Sequence, residues 1–224
     1  MRTEFKYGKP PVDCGFIECS TSEMCCWMYL PVKLPGDDLR LSIPQNAQQF
    51  EKIIWKALSN YLQEFGDDSL NDKYVYLTAK TLFTTPGNPG NRPGWHSDGF
   101  MTDDINYVWS NRNPTIFFEA DDQSNLYSFA ADHSYSLTQM DDLCERPGAK
   151  WRTYPDKTLL RLDETVLHKV DTDIEPGMRT FVKVSISKER YALEGNSINH
   201  ELKYAFGLDY QARQVVRNDP AGLK

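Results

Sequence analysis

The stretch TVLHKVDTDIEPGMRTFVKVSIS, residues 165–187, decides how the chain reads. It opens on a strand-like run, TVLHKV, and passes through DTDIEPG, whose Asp, Pro and Gly are turn formers. It then resumes as a second extended run, RTFVKVSI. His168 sits in the first run and Arg179 opens the second, 11 positions on (179 − 168). Read as a hairpin, the two runs are neighbouring strands, with His168 across the turn from Arg179 and both side chains facing one cavity.

Working outward, the same period-two character recurs in YVYLTAKTLF, TIFFEA, LYSFAA and TLLRLD, separated by Gly, Pro, Asn and Asp. Upstream the period changes. From Pro44 to Gly66, apolar residues such as Phe50, Ile53, Ile54, Ala57, Leu58 and Tyr61 fall three or one apart, which is one face of a helix, with Gly66 as its left-handed cap. MCCWMYLPVKL reads as a strand and LPGDDLRLSIP as a loop. One amphipathic helix and six or more short strands predict a mainly β chain with flanking helices, a double-sheet jelly roll with the helix covering the outside of one sheet. The expected organisation is a single domain over 1–224, with its core at about 70–190, helical support at 44–66 and a C-terminal extension at 190–224.

Composition narrows the partners. At 224 residues the chain is long enough for a sizeable core, and no apolar run is long enough for a membrane span. The N-terminus lacks the apolar stretch of a secretory signal, which points to the cytoplasm. Five cysteines, an odd number with no CxxC spacing, read as reduced thiols rather than a disulfide framework or a zinc knuckle. The formal net charge of −7, from 25 Lys and Arg against 32 Asp and Glu, disfavours nucleic acid as a partner, since phosphate binding runs on positive charge.

A second stretch supplies the chemistry. In NRPGWHSDGF, residues 91–100, His96 and Asp98 stand two apart. In extended backbone their side chains leave on one face and can point at one ion. The bland reading is a histidine hydrogen-bonded to a loop carboxylate. His168, 72 positions downstream (168 − 96), makes a set of two imidazoles and one carboxylate, which leaves coordination positions open on a ferrous ion. A guanidinium deeper in the same cavity suits the carboxylate of an organic acid that chelates the metal.

The order His96-x-Asp98, His168, Arg179 resembles the iron(II)- and 2-oxoglutarate-dependent oxygenase superfamily over roughly residues 70 to 190. The resemblance implies a double-stranded β-helix, the jelly roll shared with cupins. It implies that His96, Asp98 and His168 bind Fe(II) and that Arg179 holds the distal carboxylate of the cosubstrate 2-oxoglutarate. It further implies that dioxygen is consumed and succinate and carbon dioxide are released as a small-molecule substrate is hydroxylated. Where many members carry Ser two residues after that arginine, this chain has Phe181. A second polar contact to the cosubstrate must then come from elsewhere, with Thr78, Lys80 and Tyr127 as candidates.

The loops around the first histidine are expected to define the substrate, with Trp95, Tyr107 or Trp109 walling its pocket or, equally, packing the core. FMTDDINYVWSNRNP is read as such a loop, carrying Asn111 and Arg112 near the metal end. His133 and His200 read as structural or surface residues. Two other functions fit the residues: a cupin-like metal-binding protein without 2-oxoglutarate chemistry, and a nucleobase-modifying member of the same fold. The substrate, the reaction outcome and the oligomeric state are not written in the sequence, and the C-terminal LDYQARQVVRNDPAGLK has no assigned role.

Overall fold

The computed structural model describes residues 6–21, 23–36, 39–121, 126–207 and 209–211. Among the described residues, ten strands form two antiparallel sheets. In chain order they are β1 (Val12–Phe16), β2 (Cys25–Lys33), β3 (Tyr74–Thr84), β4 (His96–Ser97), β5 (Ile105–Ser110), β6 (Ile116–Glu119), β7 (Lys150–Arg152), β8 (Thr158–Leu162), β9 (Leu167–Lys169) and β10 (Gly177–Ser187). The larger sheet has the order β1-β8-β5-β10-β3-β2 and the smaller β4-β9-β6-β7. From β3 onward the chain passes back and forth between sheets, β3, β5, β8 and β10 in the larger and β4, β6, β7 and β9 in the smaller, the consecutive pair β6–β7 being the one exception. That hand-over from sheet to sheet is the winding of a double-stranded β-helix, so the expected jelly roll is the observed one.

The helix expected over 44–66 forms as a 3₁₀ turn (Gln45–Phe50) running into α1 (Glu51–Phe65). Gly66 ends it at φ +95°, a conformation that favours glycine, though its ψ of 160° lies outside the left-handed helical region. Ile53, Ile54, Ala57 and Leu58 are fully buried and pack on Val182, Val184 and Ile186 of β10 and Tyr107 and Trp109 of β5. Each fully buried Ile or Leu contributes about 1.5–3 kcal/mol, so this layer anchors the larger sheet from outside. Alternation then turns Arg179, Phe181, Lys183, Ser185 and Ser187 of β10 into the space between the sheets. The inward face of the most central long strand thus carries an arginine and a lysine.

Three expectations change. His168 and Arg179 are not hairpin neighbours: β9 pairs with β4 and β6, while β10 pairs with β3 and β5. The turn-rich segment between them crosses from one sheet to the other, so the two residues lie on different sheets, both buried. LYSFAA is irregular apart from one bridge, Tyr7 to Tyr127, and leads into α2 (His133–Cys144). There Asp132 caps the first turn by accepting from the Tyr135 backbone N–H at 2.8 Å, a start signal that outweighs the short apolar run. INYVWS, read as loop, is β5. Its inward residues Asn106 and Ser110 are polar, which hid the usual apolar-in pattern.

All five cysteines are free. Among the described residues no helix is long and apolar enough to cross a membrane. Beyond β10, Ala192 and Phe206 pack on Tyr76 of β3. Residues 212–224, most of the C-terminal LDYQARQVVRNDPAGLK, lie outside the described residues.

Candidate metal centre and anion pocket

His96 and His168 are directly paired across β4 and β9, and their rings lie 4.5 Å apart between centroids. Asp98 follows β4 immediately. The turn behind it needs Gly99 at φ +72°, because a Cβ there would meet the Asp104 Cβ at 2.8 Å. Ligand atoms of His96, Asp98 and His168 come within 4.8 Å of one another, the compact donor set required to hold one ion. His96 Nδ1 sits 2.9 Å from the Gly94 carbonyl and His168 Nδ1 3.2 Å from that of Val166. A carbonyl only accepts, so each Nδ1 donates its proton and each Nε2 keeps its lone pair for the interior.

The electrostatics suit a cation. His168 Nε2 and Asp98 Oδ2 stand 3.6 Å apart, two acceptors that need a positive charge between them. Burial, reinforced by the neighbouring His168, pushes the His96 pKa down to about 4, which keeps its imidazole neutral and able to ligate. Burial alone would raise the Asp98 pKa, but the Lys183 ammonium beside it holds it well below the usual carboxylate range. An oxygen and two nitrogens of this kind suit ferrous iron, so the residues present fit the metal.

Arg179 is 2 % exposed and anchored at one edge only. Its Nε donates to the carbonyls of Arg112 and Asn113, both at 3.1 Å, while Nη2 is buried with no hydrogen-bond partner. Among the described residues no carboxylate stands within ion-pair distance of it. Burial, opposed only by Asp156, presses its pKa down to about 10, still cationic at neutral pH. A buried guanidinium with an orphaned N–H fits an incoming carboxylate. Gly177 makes room for the anchoring loop, since a Cβ there would stand 1.8 Å from Arg112 Nη1. Phe117, Val108, Leu160, Val166 and Phe181 form one apolar cluster that touches both groups, with Phe117 5.9 Å from the His168 ring and Phe181 5.3 Å from the Arg179 guanidinium.

Other sequence candidates fall elsewhere. Trp95 packs outside the smaller sheet against Phe118 and Trp151. Tyr107 and Trp109 turn under α1 and the N-terminal segment, with Tyr107 Oη donating to Asn60 and Trp109 Nε1 to the carbonyls of Ile17 and Lys157. None of the three walls the interior, so the packing alternative holds for each. Tyr127 also lies outside the smaller sheet, where Arg146 donates to its hydroxyl at 2.7 Å. Thr78 faces inward but accepts from the Tyr29 backbone N–H at 3.0 Å, and Lys80 donates to the Gly90 carbonyl at 3.3 Å. Asn111 caps the Thr180 N–H and Arg112 binds the Glu175 carbonyl, both backbone-ordering roles. His133 opens α2 against Phe100, and His200 is exposed.

One residue of the site was not found in the sequence. Lys183 Nζ lies 3.1 Å from Asp98 Oδ2 and donates to Tyr29 Oη at 3.1 Å. The signal was available: Lys183 is four positions beyond Arg179 on a period-two strand and so shares its face.

No protein-family model matches the chain, and no curated protein matches it in sequence. Solved structures similar to it include a 2OG-Fe(II) oxygenase family oxidoreductase from Burkholderia pseudomallei, at 11% identity over 85% of this chain and 76% of that one, with a TM-score of 0.41. HygX from Streptomyces hygroscopicus, with nickel and 2-oxoglutarate bound, is similar at 9% identity over 76% of this chain and 72% of that one, TM-score 0.41. EvdO2 from Micromonospora carbonacea var. aurantiaca is similar at 14% identity over 62% and 64%, TM-score 0.35. Likeness at these TM-scores carries no weight in the functional reading, which rests on strand order and on the interior residues.

Proposed function

We propose that the protein is an iron(II)- and 2-oxoglutarate-dependent dioxygenase acting on a small-molecule substrate. The observation that carries the reading is the pairing of a compact His96, Asp98 and His168 donor set with a buried, half-anchored Arg179 in the same interior. His96, Asp98 and His168 would hold ferrous iron, and Arg179 would take the distal carboxylate of 2-oxoglutarate through its orphaned Nη2. When bound, iron and cosubstrate together supply the oxidising chemistry, in which 2-oxoglutarate and dioxygen give succinate and carbon dioxide and the second oxygen atom goes to the substrate.

The chain's own residues orient and protect. The Gly94 and Val166 carbonyls fix both imidazoles through Nδ1, which keeps the two Nε2 lone pairs convergent. The apolar cluster of Phe117, Val108, Leu160 and Phe181 excludes water beside donor set and guanidinium, which strengthens the charge pairing at Arg179. The test is uncoupled turnover: purified protein with Fe(II), ascorbate and 2-oxoglutarate should release succinate and consume dioxygen in step, and Asp98→Ala should do neither. A wild-type protein that binds iron yet forms no succinate, with any of a broad set of candidate substrates, would favour the cupin-like metal-binding alternative.

A further inference from the structure

Beside the three ligands stands a buried ammonium, Lys183, with no part in that chemistry. Lys183 is 7 % exposed, on the central strand β10, where its neighbours across the ladders are Thr78 of β3 and Val108 of β5. Its ammonium has two partners: Asp98 Oδ2, at 3.1 Å, and the Tyr29 hydroxyl, at 3.1 Å, with the Tyr29 ring 5.0 Å away. The oxygen it pairs with is the same Oδ2 that faces His168. A counterion for a structural carboxylate would be unremarked on a surface. Here the carboxylate is the one anionic member of the donor set, and the lysine is buried beside it.

That placement has a charge consequence. As ligands the two imidazoles are neutral, so Asp98 supplies the set's single negative charge, and Lys183 cancels it before any ion arrives. A divalent ion entering this interior meets a donor set with no net charge, in surroundings where Coulomb terms are several-fold larger than in water. An anionic chelator on the same ion restores the balance. Resting on the reading of His96, Asp98 and His168 as a metal site, we propose that Lys183 is a positioning residue that couples metal binding to chelator binding: it weakens the hold on a bare divalent ion and is compensated when a carboxylate-bearing ligand joins that ion. By linkage the chelator gains from the metal the same factor that the metal gains from the chelator.

Calorimetric titration of Mn²⁺, alone and with saturating oxalate, tests this on the full chain. Oxalate chelates without a distal carboxylate, so the comparison is independent of Arg179. Lys183→Met should bind Mn²⁺ alone at least about tenfold more tightly than wild type, because it removes a positive charge beside a ligand oxygen. The factor by which oxalate tightens Mn²⁺ should shrink correspondingly, and Lys183→Arg should keep both wild-type values. Should Lys183→Met give no cooperative melt, Lys183→Gln makes the same comparison. Unchanged or weaker Mn²⁺ binding in the neutral variant, or an unaltered oxalate factor, overturns the proposal. Running 2-oxoglutarate in parallel separates the two ideas: oxalate tightening wild-type Mn²⁺ binding while 2-oxoglutarate does not would count against the cosubstrate assignment and leave the Lys183 result standing.

Discussion

Tying both imidazoles through Nδ1 to backbone carbonyls two residues earlier makes ring orientation a property of the main chain rather than of rotamer choice. Burial, against the pull of that hydrogen bond, makes His96 acid-sensitive. Its folded pKa of about 4 lies below the ordinary value of 6.5, so between those values the unfolded chain binds the proton and the folded chain does not. Stability of the metal-free protein should therefore fall as pH drops from about 6.5 towards 4, by up to about 1.4 kcal/mol per pH unit. Urea melts at stepped pH in the presence of a chelator check this, and His96→Gln should flatten the slope. The grouping of His96, Asp98 and His168 was legible because few side chains can ligate a metal. Lys183 was not, because a lysine in a strand reads as an edge or solvent residue until the sheet is known to be covered on both faces.

At the scale of elements, the weak member is β4, which has only two residues yet carries His96. It is stapled from outside. Trp95 and Lys169, the neighbours of the two histidines, lie on the outer face, with Lys169 Nζ 4.9 Å from the Trp95 ring, 4.2 Å from the Trp151 ring and 2.6 Å from Glu145. Glu145 also accepts from Trp95 Nε1 at 2.6 Å, and Asp141 of α2 accepts from the Trp95 backbone N–H at 2.8 Å. Cation–π contacts contribute roughly 0.5–2 kcal/mol, so Lys169→Met should cost about 1–2 kcal/mol in denaturant melts. It should also weaken metal binding several-fold by loosening the β4–β9 pair; unchanged metal affinity would mean that the pair holds itself. Element identity was readable where alternation was clean, as in β3, β8 and β10. It failed at β5, whose polar residues point inward, and between β9 and β10, because a turn-rich link between antiparallel runs looks the same whether it joins strands of one sheet or of two.

Across the whole molecule, the sheets do different work. The larger one is braced by α1, so Leu58→Ala should cost about 2–5 kcal/mol while leaving the metal stoichiometry unchanged, since the cavity opens on the face away from the donor set. The smaller one carries both histidines on strands of two and three residues and depends on α2 and the outer staple. The jelly roll brings them opposite the inward face of β10, and that meeting of two short strands with one long one makes a site from residues scattered over the sequence.

The most direct test of the account is titration of 2-oxoglutarate into the Mn²⁺-loaded protein under anaerobic conditions. One molecule should bind per chain, binding should vanish when the metal is removed, and Arg179→Gln should weaken it by at least about a hundredfold, the loss of a buried charge pair. Equal affinity for wild type and Arg179→Gln, or binding indifferent to the metal, would contradict it.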